Sequence, residues 1–525
     1  MQIIGPPLTA PPVRTLTEAL DKLETRPGPW LTVVQGRDER SYDGHSLLVL
    51  ARRWRAACRA AGMQPGDRIA IVMPNDEHFV AGFFGVLLAG ATPVPLAWPG
   101  TLTPTPEAVA KLQPLVATAD PRLVITIPSL SQTWAVPAVT VPADEPDSGD
   151  IAATPEQTAF LQLTSGSLGR PRGAVISHRA VVTCAWSMAT GLDMSPADVG
   201  LSWLPLYHDM GLVGALLCPL LVGFPLHLMT PAEFLLHPER WLQRAAQVGA
   251  TVAAAPDFGW RLVARRLRVD PGSLAQWRVG LNGAEPVHRS TLEAVGAKLG
   301  PYGLPSTTVR PSYGLAENTL GVCIYDPSRP ASDLSQDGRA VPSVGRPLPG
   351  VQVQVRLPDG RLAASGEQGE ICVRSGSLMD GYFRNPEATA AALVDGWLHT
   401  GDLGLIRDGQ LHVTGRIKDL VIQNGVKFHP YDIERVAAEA AQAPPNGAAA
   451  FSVVSEGGED LVVVVEVTGR RAEGVERRVR GALVEHLGIR VSQVIAVAPG
   501  ALPRTTSGKV RRPAAAAMYG GGGAA

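Results

Sequence analysis

The segment LTSGSLGRPRG (163–173) has the residue types of an anion cradle. Gly166, Gly169 and Gly173 permit tight turns and let backbone approach a ligand closely. Backbone N–H groups and the hydroxyls of Thr164, Ser165 and Ser167 can donate to phosphate oxygens, and Arg172 adds positive charge. The GxxxxGKS/T spacing of a P-loop occurs nowhere in the chain. A surface turn with solvated arginines would use the same residues, so the loop alone leaves both readings open. Taken as residues alone, Glu317 reads as an acid at a helix start, Asp402 after a glycine as a turn residue, and His208 between Tyr207 and Asp209 as a structural hydrogen-bonder.

The elements around these residues alternate. SLLVLARRWRAACRAAG (46–62) has helical spacing and ends in glycine, DRIAIVMP (67–74) reads as a strand, HFVAGFFGVLLAGA (78–91) as a buried helix and TPVPL (92–96) as the next strand. Strand, helix, strand with short connections predicts a parallel sheet. The rhythm returns over 175–256, with one helix predicted at 233–248. The strand-like AFLQL (159–163) leads into the loop. Residues 341–415 change to short strands joined by D-G turns, a β-rich subdomain. After Lys418 the pattern is again α+β: a helix at 430–441, two strands, a helix at 472–487 and a strand at 491–497. The predicted class is therefore α/β, with a large core of parallel-type sheets plus a β-rich part (1–417) and a small α+β domain (418–518). The alanine- and glycine-rich end, AAAAMYGGGGAA (514–525), reads as low complexity and disordered, with 519–525 set apart as the tail.

Length and composition bound the class. A chain of 525 residues implies two or three domains, and 45% hydrophobic residues allow large cores. A formal net charge of −1 argues against a general nucleic-acid or membrane-surface binder. Five cysteines with no CxxC pair read as reduced, buried thiols of a cytoplasmic protein. The N-terminus has no basic start followed by a long apolar run, so no signal peptide is expected. GLVGALLCPLLVGFPLHLM (211–229) nearly reaches spanning length but is interrupted by Pro219, Pro225 and His227, so a buried helix and strand are expected. Of 47 basic residues only six are lysines: Lys22, Lys111, Lys298, Lys418, Lys427 and Lys509.

The loop resembles the phosphate-binding signature of the adenylate-forming superfamily, which includes acyl-CoA synthetases, fatty acyl-AMP ligases and peptide-synthetase adenylation domains. Leu168 stands where that signature usually has threonine, and Arg172 where it has lysine. The resemblance runs in order along nearly the whole chain. GDRIAIVMPND and FFGVLLAGATPVPL resemble early core motifs, WLPLYHDMGLVG (203–214) the acyl-pocket segment and LNGAEPV (281–287) the adenine-side loop. SYGLAEN (312–318) is similar to a YGxTE motif and HTGDLG (399–404) to the ribose motif. GRIKDLVIQNGVKFHPYDIE (415–434) resembles the hinge, and LPRTTSGKVRR (502–512) the C-terminal lysine motif.

The resemblance implies two half-reactions. A carboxylate attacks the α-phosphate of ATP and releases pyrophosphate; a thiol then attacks the acyl carbon and expels AMP. It implies catalytic roles for Lys509, Glu317 and Arg416, with Mg²⁺ on Glu317 and Thr164. Thr164, Ser165, Gly166, Ser167, Gly169 and Arg172 would hold the phosphates. Asn282, Gly283, Ala284, Glu285, Tyr313 and Gly314 would line the adenine side. Asp402 would take the ribose hydroxyls, and Lys418 would sit at the hinge about which the last domain turns. His208, Trp203, Met210 and Phe258 would border the acid. Their apolar company favours a hydrophobic carboxylic acid over an amino acid. The thiol acceptor is CoA or a carrier protein. Ala316 and the 205–242 segment lean towards the acyl-AMP ligase branch. The stretch 323–342 is shorter than the insertion expected there, which keeps CoA open. A nucleotide-binding protein that has lost catalysis is the other reading, supported by Leu168.

Overall fold

A computed structural model describes residues 1–99, 104–164, 171–336, 339–417, 421–423, 426–444, 447–455, 458–504 and 510–520. Three expected phosphate-loop glycine and serine positions beyond Thr164 (Ser165, Gly166, Ser167), together with Gly169, Lys418 and Lys509, lie outside them.

Short apolar strands with helical connections form the first layer. Arg68–Val72 pairs in parallel with Thr92–Pro95 on one side and Leu123–Thr126 on the other, and Ala138–Val139 extends the sheet. Helix Glu77–Leu88 is buried nearly all round, as a crossover between parallel strands must be. Asp76 caps it, accepting from the N–H groups of His78 and Phe79 at 3.0 Å each.

A nine-stranded sheet runs beside it, in the order Arg346–Pro347, Gly321–Ile324, Val309–Gly314, Val279–Asn282, Val252–Ala255, Gly200–Ser202, Leu226–Met229, Pro29–Gln35 and Asp38–Asp43. Its pairs are parallel from Val309–Gly314 to Pro29–Gln35 and antiparallel at both ends. In parallel sheets ligands gather outside the carboxyl ends of the strands. Here those ends lead into 283–288 and 315–317, two of the expected site segments. A third sheet is antiparallel: Thr158–Thr164, Arg172–Ser177 and Gly381–Tyr382. Thr164 is paired with Arg172, so a hairpin holds the base of the expected phosphate loop. The β-rich part is a six-stranded antiparallel sheet of Gln2–Ile4, Gln352–Arg356, Gly369–Arg374, Trp397–Arg407, Leu393–Val394 and Gln410–Arg416.

The last part carries its own apolar cluster, with Ile433, Val436, Val463, Val479 and Leu483 at its centre. Helices Pro430–Ala441 and Val475–Leu487 pack with strands Ala448–Ser455, Gly458–Glu466 and Gln493–Val497. The irregular segment 140–157 is tied down by charge. Arg55, on helix Gly44–Ala60, is fully buried and contacts Asp147 Oδ1 at 2.6 Å and Asp150. Arg59 contacts Asp147 at 2.6 Å, and Arg52 joins Asp150 at 2.7 Å to Glu24 at 2.6 Å. A buried guanidinium needs such full pairing.

Two expectations are corrected. The helix predicted at 233–248 is two, Pro231–Leu236 and Pro238–Val248, because the residue before a proline is pushed out of helical geometry and His237 takes that position. The alanine run expected to be disordered forms helix Arg512–Tyr519. Alanine is the best helix former, Ala515 is buried, and Arg512 anchors the helix to Glu434 at 2.6 Å. Tyr519, placed in the tail by sequence, is its last residue and donates to the Ala501 carbonyl at 3.2 Å. The apolar stretch 211–229 folds as a wide-turned helix (Met210–Leu217), a short helix and a strand. No helix among the described residues is long and apolar enough to cross a membrane.

Candidate active site

One cleft of ≈ 1360 Å³ gathers most of the expected residues. Thr164, Arg172, His208, Met210, Ala284, Glu285, Tyr313, Gly314, Glu317, Asp402 and Arg416 all line it, and Tyr431, Arg511 and Arg512 close it from the last part of the chain. Tyr431 lies against His288 of the core, with ring centroids 5.0 Å apart.

At one end sits a carboxylate with two donors. Asp402 is buried; its Oδ2 accepts from the Tyr313 hydroxyl at 2.7 Å and its Oδ1 from Arg416 Nε at 2.7 Å. A carboxylate offers about four lone-pair positions, so both oxygens can still accept from a diol. Burial, and next the charge of Asp402, push the Tyr313 phenol well above its ordinary range. Asp402 is presented by a bulge after His399 in strand Trp397–Arg407: the Gly401 N–H donates to Glu370 Oε1 at 3.0 Å, and the Thr400 hydroxyl donates to the Ile371 carbonyl at 2.7 Å.

A second carboxylate, Glu317, lies on the short turn Ala316–Asn318 that follows strand Val309–Gly314. The strand can bend there because Gly314 has no Cβ; one would stand 2.1 Å from the Leu320 carbonyl oxygen. Glu317 Oε1 accepts from the Tyr382 hydroxyl at 2.8 Å. Burial raises its carboxyl above the ordinary value, and the bond from Tyr382 opposes that. Arg172 stands over the Tyr382 ring, 5.1 Å from its centroid. Tyr382 thus links Arg172 to Glu317. Sequence reasoning missed it, as it missed Glu370 and His399; an aromatic after a D-G turn carries no signal that it will return to a hairpin 200 residues earlier.

The adenine-side segment divides. Ala284 and Glu285 face the cleft, Ala284 with a left-handed φ of +65°. Asn282 is fully buried and donates to Asp257 Oδ1 at 3.1 Å, so it braces the segment. Gly283 lets two strands meet, since a Cβ there would lie 2.5 Å from Ser312 Oγ. The acid side divides too. His208 and Met210 are on the wall, with His208 Nδ1 at 2.7 Å from Asp209 Oδ1. Trp203 and Phe258 are not. Trp203 is stacked on Phe234 with centroids 3.7 Å apart, and Phe258 meets its edge at 6.0 Å. They belong to an aromatic core with Trp241, Trp260 and Trp277 that backs the cleft. The wall itself is made by Gly200, Gly214, Phe224, Leu226 and Met194, small and apolar groups, of which Gly214 and Met194 are half-buried.

A family model described as AMP-binding enzyme matches residues 25–383. The chain belongs to that family. As an AMP-binding enzyme it is 32% identical to a long-chain-fatty-acid–AMP ligase, FadD32, of Mycolicibacterium smegmatis, over 87% of this chain and 85% of the relative. It is 33% identical to a 4-hydroxyphenylalkanoate adenylyltransferase of Mycobacterium tuberculosis, over 86% and 82%. A solved structure from work on fatty acyl-adenylate ligases of E. coli and L. pneumophila superposes with a TM-score of 0.89 at 29% identity, covering 98% of this chain and 99% of the other. This AMP-binding enzyme is an acid-activating ligase that joins a carboxylic acid to AMP at the expense of ATP.

Proposed function

We propose that this enzyme activates a hydrophobic carboxylic acid as its acyl-adenylate and passes the acyl group to a thiol, on CoA or on a carrier protein's phosphopantetheine. The observation that carries this reading is the continuity of one cleft, from the Asp402–Tyr313–Arg416 group past Glu317 and Arg172 to an apolar chamber. Asp402 takes the ribose, Tyr313 the adenine face, and Arg172 with the loop after Thr164 the phosphates. Glu317 and Thr164 offer the hard oxygen donors that Mg²⁺ prefers, and Glu317 has one oxygen beyond the one held by Tyr382. Bound there, Mg²⁺ would neutralise charge developing on the phosphates. Lys509 supplies the charge that bridges the incoming carboxylate and the α-phosphate. Residues 418–518 act as a mobile domain hinged at Lys418, bringing Lys509 in for the first half-reaction and closing the site to water. The near-neutral charge speaks against a nucleic-acid partner, and five buried, unpaired cysteines fit the reducing cytoplasm.

The test is mass spectrometry of products from Mg-ATP and a pool of apolar acids, with and without CoA, beside Lys509→Ala. Acyl-AMP that persists with CoA present indicates a ligase needing a carrier protein; acyl-CoA with AMP indicates a complete CoA synthetase. Neither product from any acid would overturn the reading.

A further inference from the structure

Strands Gly369–Arg374 and Trp397–Arg407 make Cys372 and His399 cross-strand partners. Glu370 reaches the same spot: His399 Nδ1 lies 2.9 Å from Glu370 Oε2 and 3.6 Å from Cys372 Sγ. The three donor atoms all lie within 4.8 Å of one another. None of the three is used by the adenylation chemistry proposed above. A tetrahedral zinc ion, with Zn–S of about 2.3 Å and Zn–N and Zn–O of about 2.0–2.2 Å, requires an S···N edge of roughly 3.6 Å and an N···O edge of roughly 3.4 Å. The first is already met, and the second needs the imidazole and carboxylate to part by about half an ångström. A thiolate and an imidazole are donors that favour zinc over magnesium, and a carboxylate is one that zinc also accepts.

The support around the triad suits a site. Glu370 keeps its other oxygen on the Gly401 N–H at 3.0 Å, which fixes the carboxylate's direction without consuming the oxygen aimed at His399. Cys372 is fully buried, whereas Glu370 and His399 line the cleft with side chains 23% and 29% exposed. An ion therefore has a path in from the cleft. The other four cysteines are buried too, but no comparable group of three donors occurs elsewhere among the described residues.

We propose that Glu370, Cys372 and His399 form a site for a zinc-class divalent cation, separate from the oxygen donors at Glu317. On binding, the Cys372 S–H proton leaves to solvent as the metal–sulfur bond forms, and no electron is transferred. The experiment is a titration of the full chain, stripped of metal by a chelator, with Co²⁺ and then Zn²⁺ in the absence of nucleotide. One equivalent of Co²⁺ should give d–d bands and a near-ultraviolet thiolate-to-cobalt band, both bleached by one equivalent of Zn²⁺. Cys372→Ala should lose the thiolate band. Glu370→Gln keeps an acceptor for Gly401 but loses the anionic donor; it should retain the band and bind at least about tenfold more weakly. A thiolate band that survives in Cys372→Ala, or no saturable absorption in the parent, overturns the proposal. If Cys372→Ala does not fold, Glu370→Gln decides alone, and unchanged Co²⁺ affinity overturns it.

Discussion

Replacing Asp402 by asparagine tests the nucleotide end of the cleft with the least change of shape. Asp402 is 4% exposed, and its two oxygens take Arg416 and Tyr313 at 2.7 Å each. Asparagine removes the charge and turns one acceptor into an NH₂ group that faces a donor. Hydrogen bonds to a charged group are worth about 1.5–3 kcal/mol, so losing the charge and at least one bond to the ribose should cost about 2–4 kcal/mol in the transition state. At about 1.4 kcal/mol per tenfold, that is roughly a 30- to 700-fold drop in kcat/KM for ATP. Pyrophosphate release at saturating acid measures it, with a thermal melt to show that the variant is folded. Tyr313→Phe keeps the carboxylate and removes one neutral donor, so it should lose only about fivefold, or about 1 kcal/mol. The double variant should lose less than the product of the two, since Tyr313 acts through Asp402. An Asp402→Asn enzyme within threefold of the parent would show that this carboxylate does not hold the sugar.

Tyr382→Phe leaves Glu317 without its hydroxyl donor and should raise the KM for Mg-ATP about fivefold while the acid KM stays level, as read by varying each substrate in turn. Gly214 lines the chamber, and a Cβ there would stand 3.2 Å from Leu320. Gly214→Val should therefore cut turnover of long acids about tenfold or more and of short ones little, measured as acyl-AMP formed from each. His178 is buried, accepts from the Leu16 N–H at 3.1 Å and is held by burial at a pKa of about 4, below its ordinary 6.5. The unfolded chain gains that proton first, so its contribution to stability is full above pH 6.5 and is lost as pH falls towards 4. The loss by pH 4 is on the order of 3 kcal/mol. His178→Asn, which keeps an acceptor but does not titrate, should flatten the fall in melting temperature over that window; an unchanged slope counts against the assignment.

Much of this site was legible because its segments carry local signals. Gly314, Glu317, Asp402 and Arg416 stand in short motifs that can be recognised one by one along the chain, and each faces the cleft. What sequence could not supply was depth. Trp203 and Phe258 read as pocket wall because they are apolar and lie beside His208 and Met210 in the chain or in the motif order. Only the packing of Phe234 against Trp203 shows that they stand one layer behind it. Asn282 was read as touching nucleotide, although its neighbour Asp257 holds it within the core. Tyr382, Glu370 and His399 reach the site through strand pairings, which no local pattern encodes. The break at Pro238 was written in the sequence and outweighed by helical spacing on either side.

The clip between Arg55 and the segment around Asp147 and Asp150 closes a loop of 92 to 95 residues that contains the whole first parallel sheet. Closing so long a loop costs roughly 4 kcal/mol of chain entropy by its logarithmic term, and the charge cluster joins the Ala143 N–H bond to the Arg53 carbonyl at 3.0 Å and helix packing in holding it shut. An irregular, proline- and aspartate-rich stretch is where proteases usually cut first. Here a cut between 143 and 147 would sever the covalent part of that closure, and the Arg55 ion pairs, the Ile151 N–H bond to the Leu88 carbonyl at 2.9 Å and the packing of helix Gly44–Ala60 on helix Glu77–Leu88 would be left to keep the ends together. Ile69, Ile71, Leu123 and Ile125 of the first sheet share one apolar core with Leu31, Val279 and Leu281 of the nine-stranded sheet, so a nicked chain would keep that sheet in place by packing where the intact chain also has covalent continuity.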